Sequence, residues 1–424
     1  MNNTSKEFKI FHVDNRVFVF VCGNGKIYEA DEKAIKALYH DTEGKAEILE
    51  NTDKIKEKII EERIKTDEVG MLSLLVIQGC NLRCTYCYGD GGQYQDSGIM
   101  DFDTARNAVD YLIHKSNRNR LTICFFGGEP LLNFPLIKKV VEYCHKETKD
   151  SEKIINFSMT TNGTLLTPEI EEFIINNRIG VQISLDGDCD TQNKNRFDAN
   201  GNGSYDVVVE KTKRLRELGR LGVRATLTPY NTNVIKIYEH LESLNFQKII
   251  ISPAFNMLTE DDYEKVIKGY IEWFRYLEDE IKKGNYKYVK KAKQFIQELQ
   301  KIDRALVRTA ACGVGRNLLA IDIHGNAFPC QRFVAMKEFC IGNLAIGLEK
   351  QEEFLEKINK SINEKCEDCW CRNLCASGCS YCNVESTGDM KKTNETYCEY
   401  VKATMEELIR VYLQLNEEEK EILL

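Results

Sequence analysis

Nowhere does the chain hold a run approaching the roughly 18 apolar residues that cross a bilayer. Met1–Lys6 carries no apolar stretch of the kind a secretion signal uses. A membrane partner and an export route are therefore not expected, and the expected location is the cytoplasm. No basic stripe offsets the formal charge of −8, which argues against a nucleic-acid partner. The densest lysine run, Lys282–Lys293, reads as the solvated face of a helix. Cysteine, by contrast, is abundant. Seventeen thiols in a chain without an export signal are poorly explained by disulfides, and their clustering points to metal. With 424 residues, 42% of them hydrophobic, the chain can bury two or three cores.

The densest thiol group follows the apolar run Leu72–Ile77 and reads Gln78-Gly79-Cys80-Asn81-Leu82-Arg83-Cys84-Thr85-Tyr86-Cys87-Tyr88. A four-iron cluster normally takes four Cys thiolates, and none follows here until Cys124. A cluster at this loop would leave one iron without a protein ligand, an open position of the kind at which catalytic metals work. A structural zinc knuckle with its fourth ligand elsewhere is the other reading.

Residues 71–258 repeat a strand, loop and helix six times. Strands are expected at Leu72–Ile77, Leu121–Phe126, Ile154–Met159, Val181–Leu185, Val223–Leu227 and Lys248–Ile251. The intervening amphipathic stretches are Asp103–Lys115, Leu136–His145, Pro168–Asn176, Tyr205–Leu218 and Val234–Leu244. Such alternation predicts an α/β fold with a parallel sheet, a partial (β/α)6 TIM barrel. Distinctive polar groups close the first four strands: the Cys loop, Gly127-Gly128-Glu129-Pro130, Thr160-Thr161-Asn162-Gly163 and Ser184-Leu185-Asp186-Gly187. Barrels of parallel strands carry their sites on that face. Two adjacent glycines let a backbone approach a ligand closely.

Cys80, Cys84 and Cys87, with Tyr86 before the last thiol, resemble the cluster loop of radical S-adenosylmethionine (SAM) enzymes. That resemblance implies a 4Fe-4S cluster whose open iron is chelated by SAM, and a 5′-deoxyadenosyl radical as the reactive species. It also implies that Gly127, Gly128 and Glu129 receive the SAM amino group, and that Ser184 and Arg196 hold its carboxylate. Asn162 and Asp186 either line the site or act as turn residues bonded to their own backbone. The stretch Asp188–Gly203, which contains Arg196, has no periodicity.

On either side of the barrel the composition changes. Residues 1–70 hold short β-rich runs, Phe8–Val13, Val17–Cys22 and Lys26–Ala30, then a helix capped by Asp31 and a further helical stretch at Thr52–Lys65. This winged-helix-like pattern resembles the precursor-recognition domain of maturases of ribosomally made peptides, where a leader peptide adds as an extra strand. Cys22 reads as a core thiol. Residues 259–310 form a helical bridge, whose aromatics Tyr263, Trp273, Phe274, Tyr276, Tyr286 and Phe295 read as packing.

Residues 311–424 carry Cys312, Cys330, Cys340, Cys366, Cys369, Cys371, Cys375, Cys379, Cys382 and Cys398. They resemble the SPASM extension, in which Cys bind two further 4Fe-4S clusters. By position, Cys312, Cys330 and Cys379 would hold the first, completed by Cys340 or by a substrate thiolate. Cys366, Cys369, Cys375 and Cys398 would hold the second. Cys371 and Cys382 are extra to that pattern, a zinc ribbon is the other reading of the tail, and Cys124, Cys144 and Cys189 remain unassigned. His324 reads as a turn residue.

The combination predicts a maturase that joins a Cys sulfur to carbon within a precursor peptide, fed by an external one-electron donor, with three clusters and SAM as cofactors. Carbon–carbon cross-linking or sulfatase-type oxidation is the competing catalytic reading. A non-catalytic iron–sulfur carrier is the competing class, and Glu129 in its loop separates it from an enzyme.

Overall fold

Phe8–Val13 (β1), Arg16–Val21 (β2) and Ile27–Glu29 (β3) form an antiparallel sheet in that order. Asp14 and Asn15, both at positive φ, make the two-residue turn between β1 and β2. In the helix Glu32–His40, Ala34 N–H donates to Asp31 Oδ1 at 2.7 Å, the expected cap. A computed structural model describes residues 5–40, 68–308, 310–359 and 364–424; the helix expected over Thr52–Lys65 lies outside the described residues. The chain divides into two units: Met1–Thr66 with Thr259–Cys312 and Asn359–Leu424, and Asp67–Leu258 with Gly313–Ile358.

In the first unit, side chains of the small sheet alternate between two faces, as strand geometry requires. Phe8, Ile10, Val19 and Val21 join Leu38 of the helix in one core. From the opposite face Phe11 and Phe20 meet Trp370 edge-on, at ring separations of 6.4 and 6.1 Å. Lys9 Nζ lies 4.5 Å above the same indole and 2.6 Å from Glu406 Oε2. The front sheet is thus built into the Cys-rich tail.

Long helices at Glu260–Lys282, Lys293–Asp303 and Glu395–Gln414 complete the unit. Tyr263, Trp273, Phe274 and Phe295 are buried, and Tyr270 packs on Tyr400 with centroids 5.4 Å apart. The aromatic stripe is therefore packing, while Tyr276 and Tyr286 are half-buried. The Lys282–Lys293 run differs from its expectation. Gly284 at φ +80 ends the first helix, a short helix Tyr286–Val289 follows, and Lys291 is buried.

The second unit is an α/β partial barrel. Its strands are Met71–Gln78 (β4), Gly98–Ile99 (β5), Arg120–Gly127 (β6), Ile154–Thr161 (β7), Gly180–Ser184 (β8), Leu221–Leu227 (β9) and Lys248–Pro253 (β10). Leu318–Ile321 (β11), Asn326–Phe328 (β12) and Gly342–Asn343 (β13) follow. The order is β10-β9-β8-β7-β6-β4-β11-β12-β13, with every neighbouring pair from β10 to β11 parallel. The six expected strands and five expected helices are present within a few residues. The seventh parallel strand, β11, comes from the segment the sequence reading joined to the tail. It has only four residues and reaches β4 from far along the chain, so no local periodicity marks it.

Candidate active site

The first strand is bent where the site begins. Its pairing with β6 shifts register between Leu75 and Ile77, a bulge that leaves Val76 unopposed and re-aims the chain. The Val76 carbonyl accepts instead from Met100 N–H at 3.1 Å and Asn133 Nδ2 at 2.8 Å. Buried Gln78 closes the strand, donating through Nε2 to the carbonyls of Gln93 (3.2 Å) and Asp96 (2.6 Å).

Beyond Gln78 the thiol loop is pressed onto the loop after β6. A Cβ on Gly127 would enter the Ile77 carbonyl, and one on Gly128 the Gly79 carbonyl. Gly92, at φ +84, lies so close that its Cβ would stand 2.8 Å from Cys80 Cβ. The glycine pair lets two protein backbones touch. Hydrogen bonds seal the contact: Gly128 N–H to Ile77 O at 3.1 Å and Glu129 N–H to Gly79 O at 3.0 Å.

Glu129 is buried behind that contact. Its Oε1 accepts from Thr161 Oγ1 at 2.6 Å and Leu131 N–H at 3.1 Å, and its Oε2 from Asn162 N–H at 2.7 Å. Burial pushes its carboxyl up to about 7, against the pull of these donors. Asn162 acts in both of its expected ways. Its Oδ1 accepts from Thr164 N–H within its own turn, and its Nδ2 donates to Asn81 Oδ1 at 2.9 Å while standing 3.9 Å from Cys80 Sγ.

The third wall corrects the sequence reading of Asp188–Gly203. Asp188 caps a helix Cys189–Asn195, so the stretch without periodicity opens with a helix that Cys189 begins. The chain then runs antiparallel to the thiol loop, with Arg83 N–H on Phe197 O at 2.6 Å and Thr85 N–H on Asn195 O at 3.0 Å. Asp186, fully buried, is the hub. Its Oδ2 accepts from Tyr86 OH (2.6 Å), Arg196 Nε (3.2 Å) and Asn195 Nδ2 (3.3 Å), and its Oδ1 from Thr226 N–H (2.9 Å). Arg196 also stacks 5.0 Å above the Tyr86 ring and directs Nη1 at Cys84 Sγ, 3.8 Å away. Ser184 is half-buried at the end of β8. Asp186 is the site residue whose weight sequence reasoning missed, because its neighbours come from three separate segments.

The donors around the sulfurs suit thiolate ligands. Leu82 N–H points at Cys80 Sγ (3.4 Å) and Arg196 at Cys84. Burial pushes the Cys80 thiol up to about 12 and the Cys84 thiol upward too, where nearby Arg196 partly opposes it. Buried thiols of this kind give up their protons when a metal neutralises the charge.

In the first unit a second thiol group has gathered. Burial pushes the Cys375 thiol up to about 12, helped by the adjacent sulfurs of Cys398, Cys366 and Cys369. These are the four residues expected together. Ala376, Ser377 and Gly378 all have positive φ, turning the chain sharply between Cys375 and Cys379. Extra Cys371 is a buried thiol beside Cys375, Cys369 and Cys22, and Cys382 is buried as well. Cys312 and Cys379 belong to this first unit, whereas Cys330 and Cys340 belong to the second. Among the described residues no three His, Cys, Asp or Glu side chains stand at the separation that a single metal ion imposes. Cys124 and Cys144 are buried on β6 and on the helix Phe134–Glu147. His324 does occupy a turn, with Nε2 3.0 Å from Asp96 Oδ2. No helix among the described residues is long and apolar enough to cross a membrane.

Comparison with known proteins agrees with this fold. Residues 74–268 match the family described as the Radical SAM superfamily. A cysteine-type anaerobic sulfatase-maturating enzyme of Clostridium perfringens is 26% identical over 369 residues, covering 79% of this chain and 95% of that protein. A solved structure of native anSMEcpe with bound AdoMet and Cp18Cys peptide superposes with a TM-score of 0.69 at 23% identity, over 82% of this chain and all of that one. SuiB of Streptococcus suis, solved bound to precursor peptide SuiA, gives 0.55 at 14% identity over 93% of this chain and 99% of its own.

Gly128→Ala tests the backbone contact. Its methyl group meets the Gly79 carbonyl, so the variant should be destabilised by about 1–3 kcal/mol, as measured by chemical denaturation.

Proposed function

We propose, taking residues 74–268 as a radical SAM domain, that this chain is a maturase that installs a Cys sulfur-to-carbon thioether in a ribosomally made precursor peptide. The observation that carries the enzymatic part is the three-thiol loop locked against Gly127, Gly128 and the buried Glu129 carboxylate. Cys80, Cys84 and Cys87 would hold a 4Fe-4S cluster there, which with SAM supplies a 5′-deoxyadenosyl radical able to take a substrate hydrogen atom. Glu129 and the adjoining backbone hold the amino group of SAM, and Ser184 and Arg196 its carboxylate. Arg196 is bonded to Asp186, so its guanidinium comes to that task already oriented. Thr161 and Asn162 keep the Glu129 carboxylate turned inward.

Thioether formation from a thiol and a C–H bond removes two hydrogen atoms from the substrate. One leaves as the abstracted atom; the other departs as a proton and an electron that needs an acceptor. Cys366, Cys369, Cys375 and Cys398 would hold one auxiliary cluster suited to that role, and Cys312, Cys330 and Cys379 another, completed by Cys340 or the substrate thiolate. An external one-electron donor restores the electron spent on SAM.

Peptide substrate is supported by the front sheet. Among the described residues β3 pairs with β2 alone, and Tyr28 on it is exposed. Val21 N–H bonds to Lys26 O and Ala30 N–H to Val17 O, so the alternate residues Ile27 and Glu29 turn their backbone groups to the open edge. A leader strand can pair there. Sulfatase-type oxidation is the second reading, favoured by the identity to the sulfatase-maturating relative; the open β3 edge favours the first. Product mass separates them, since a cross-link survives alkylation and proteolysis as one joined fragment whereas formylglycine reacts with hydrazides.

Anaerobic reconstitution should give about 12 irons per chain and SAM-dependent deoxyadenosine. In Cys84→Ala deoxyadenosine should vanish while the iron of the tail remains; zinc in the loop, or indifference to SAM, sinks the proposal. Because burial pushes the Glu129 carboxyl up to about 7, it is ionised only above that pH, so affinity for the SAM amino group, whose N–H donates to it, should rise as pH passes upward through about 7, and calorimetry of Glu129→Gln should show a smaller rise. Removing residues 1–65 would strip Phe11 and Phe20 from Trp370, so a single-residue change is the cleaner probe of recognition. Glu29→Pro deletes one outward N–H and should reduce processing of full-length precursor at least tenfold with SAM cleavage intact. Undiminished processing would remove the recognition role.

A further inference from the structure

Past Cys87 the backbone is tightly wound. Asp90, Gly91, Gly92, Tyr94 and Gln95 all have positive φ, +53° at Tyr94. That conformation is uncommon for any residue with a side chain and rarer still for one as bulky as Tyr, and it persists only where surrounding contacts enforce it. Here the contacts are specific. Tyr94 N–H donates to Gly89 O at 2.9 Å, closing the loop, and Gln78 Nε2 holds the carbonyls of Gln93 and Asp96 on either side. Gly89 leaves space for the ring, since a Cβ there would stand 2.8 Å from Tyr94 Cζ. The winding turns Tyr94 inward, where it is 3% exposed.

Its buried hydroxyl reaches the glycine pair. Tyr94 OH donates to Gly127 O at 3.2 Å. The N–H of the same peptide unit, that of Gly128, donates to Ile77 O at 3.1 Å. One planar peptide is thus held at both ends, and a donor on its carbonyl strengthens the bond made by its N–H. The next N–H is that of Glu129, on Gly79 O, and the Glu129 carboxylate follows directly. A carbonyl oxygen has two lone pairs, so the bond from Tyr94 leaves Gly127 O able to accept once more. Tyr88 stands beside this arrangement: its ring meets that of Tyr94 edge-on at 6.1 Å, the two side chains are hydrogen-bonded, and Arg332 lies 5.2 Å over the Tyr88 ring. Burial pushes the Tyr94 phenol well above its ordinary range, so it stays a protonated donor.

We infer that Tyr94 is a positioning residue for the amino group of the cosubstrate: its hydroxyl fixes the Gly127–Gly128 peptide, and with it the backbone acceptor and the start of the Glu129 segment, while Tyr88 orients that hydroxyl. An acceptor held in place before its ligand arrives loses little order on binding it. This inference rests on the reading of the site as one for SAM.

The test titrates the full reconstituted chain by calorimetry with two ligands, SAM and its analogue carrying hydrogen in place of the amino group. In Tyr94→Phe, which removes one oxygen and keeps the ring, SAM should bind about fivefold more weakly, while affinity for the deaminated analogue stays at the native value. Tyr88→Phe, which takes away the hydroxyl beside that of Tyr94, should show a smaller loss with the same selectivity. A merely structural role would weaken both ligands alike. Equal weakening therefore overturns the inference, as does unchanged SAM affinity in Tyr94→Phe. Chemical denaturation shows whether each variant is folded; should Tyr94→Phe fail to fold, the two-ligand comparison in Tyr88→Phe decides, and affinities unchanged or equally weakened there overturn the inference. A native chain that does not bind SAM fails the functional proposal itself, and that control is read before either variant.

Discussion

A contact with no room for a side chain governs the barrel mouth. The backbone at Gly127 and Gly128 lies against the carbonyls of Ile77 and Gly79, and Gly92 closes on Cys80 from another side. Loops after the first two strands are therefore one body, and the thiols on the first cannot shift without the carboxylate on the second. The bulge at Val76 gives the first loop its direction, and hydrogen bonds from Gly128 and Glu129 hold it there.

Charge completes what steric contact begins. Burying Asp186 beside Arg196 costs desolvation of both, and such a pair contributes little net stability unless its remaining hydrogen-bonding positions are filled. Here they are filled: Tyr86, Asn195 and Thr226 all donate to the same carboxylate. The return is positional. Tyr86 lies within the thiol loop and Asn195 ends the helix Cys189–Asn195, so Asp186 ties both to the end of β8. Arg196 carries that order to Cys84.

The first unit joins the front sheet to the Cys-rich tail through packing. Trp370, flanked by Cys369 and Cys371, takes Phe11 and Phe20 of the front sheet on its edges. Buried Cys22 follows the second strand, and its carbonyl accepts from Asn373 Nδ2. The three-stranded sheet, one face of which packs on Leu38, has Trp370 of the tail against its other face.

Much of the fold was legible because its signals are local. Alternation of apolar runs with amphipathic stretches gave the six strands and five helices of the barrel, and the spacing of Cys80, Cys84 and Cys87 gave the thiol loop. The grouping of Cys366, Cys369, Cys375 and Cys398 came from resemblance alone, and in the structure the sulfurs of Cys398, Cys366 and Cys369 lie near enough to Cys375 to push its thiol upward. Tertiary structure alone decided that Gly127 and Gly128 touch protein, that β11 extends the sheet, that Asp188–Asn202 is ordered against the thiol loop, and that Asp186 is its hub. The physical reason is range. Periodicity and ligand spacing are properties of neighbouring residues, whereas steric exclusion, strand pairing and burial of charge depend on atoms that chain folding brings from distant segments.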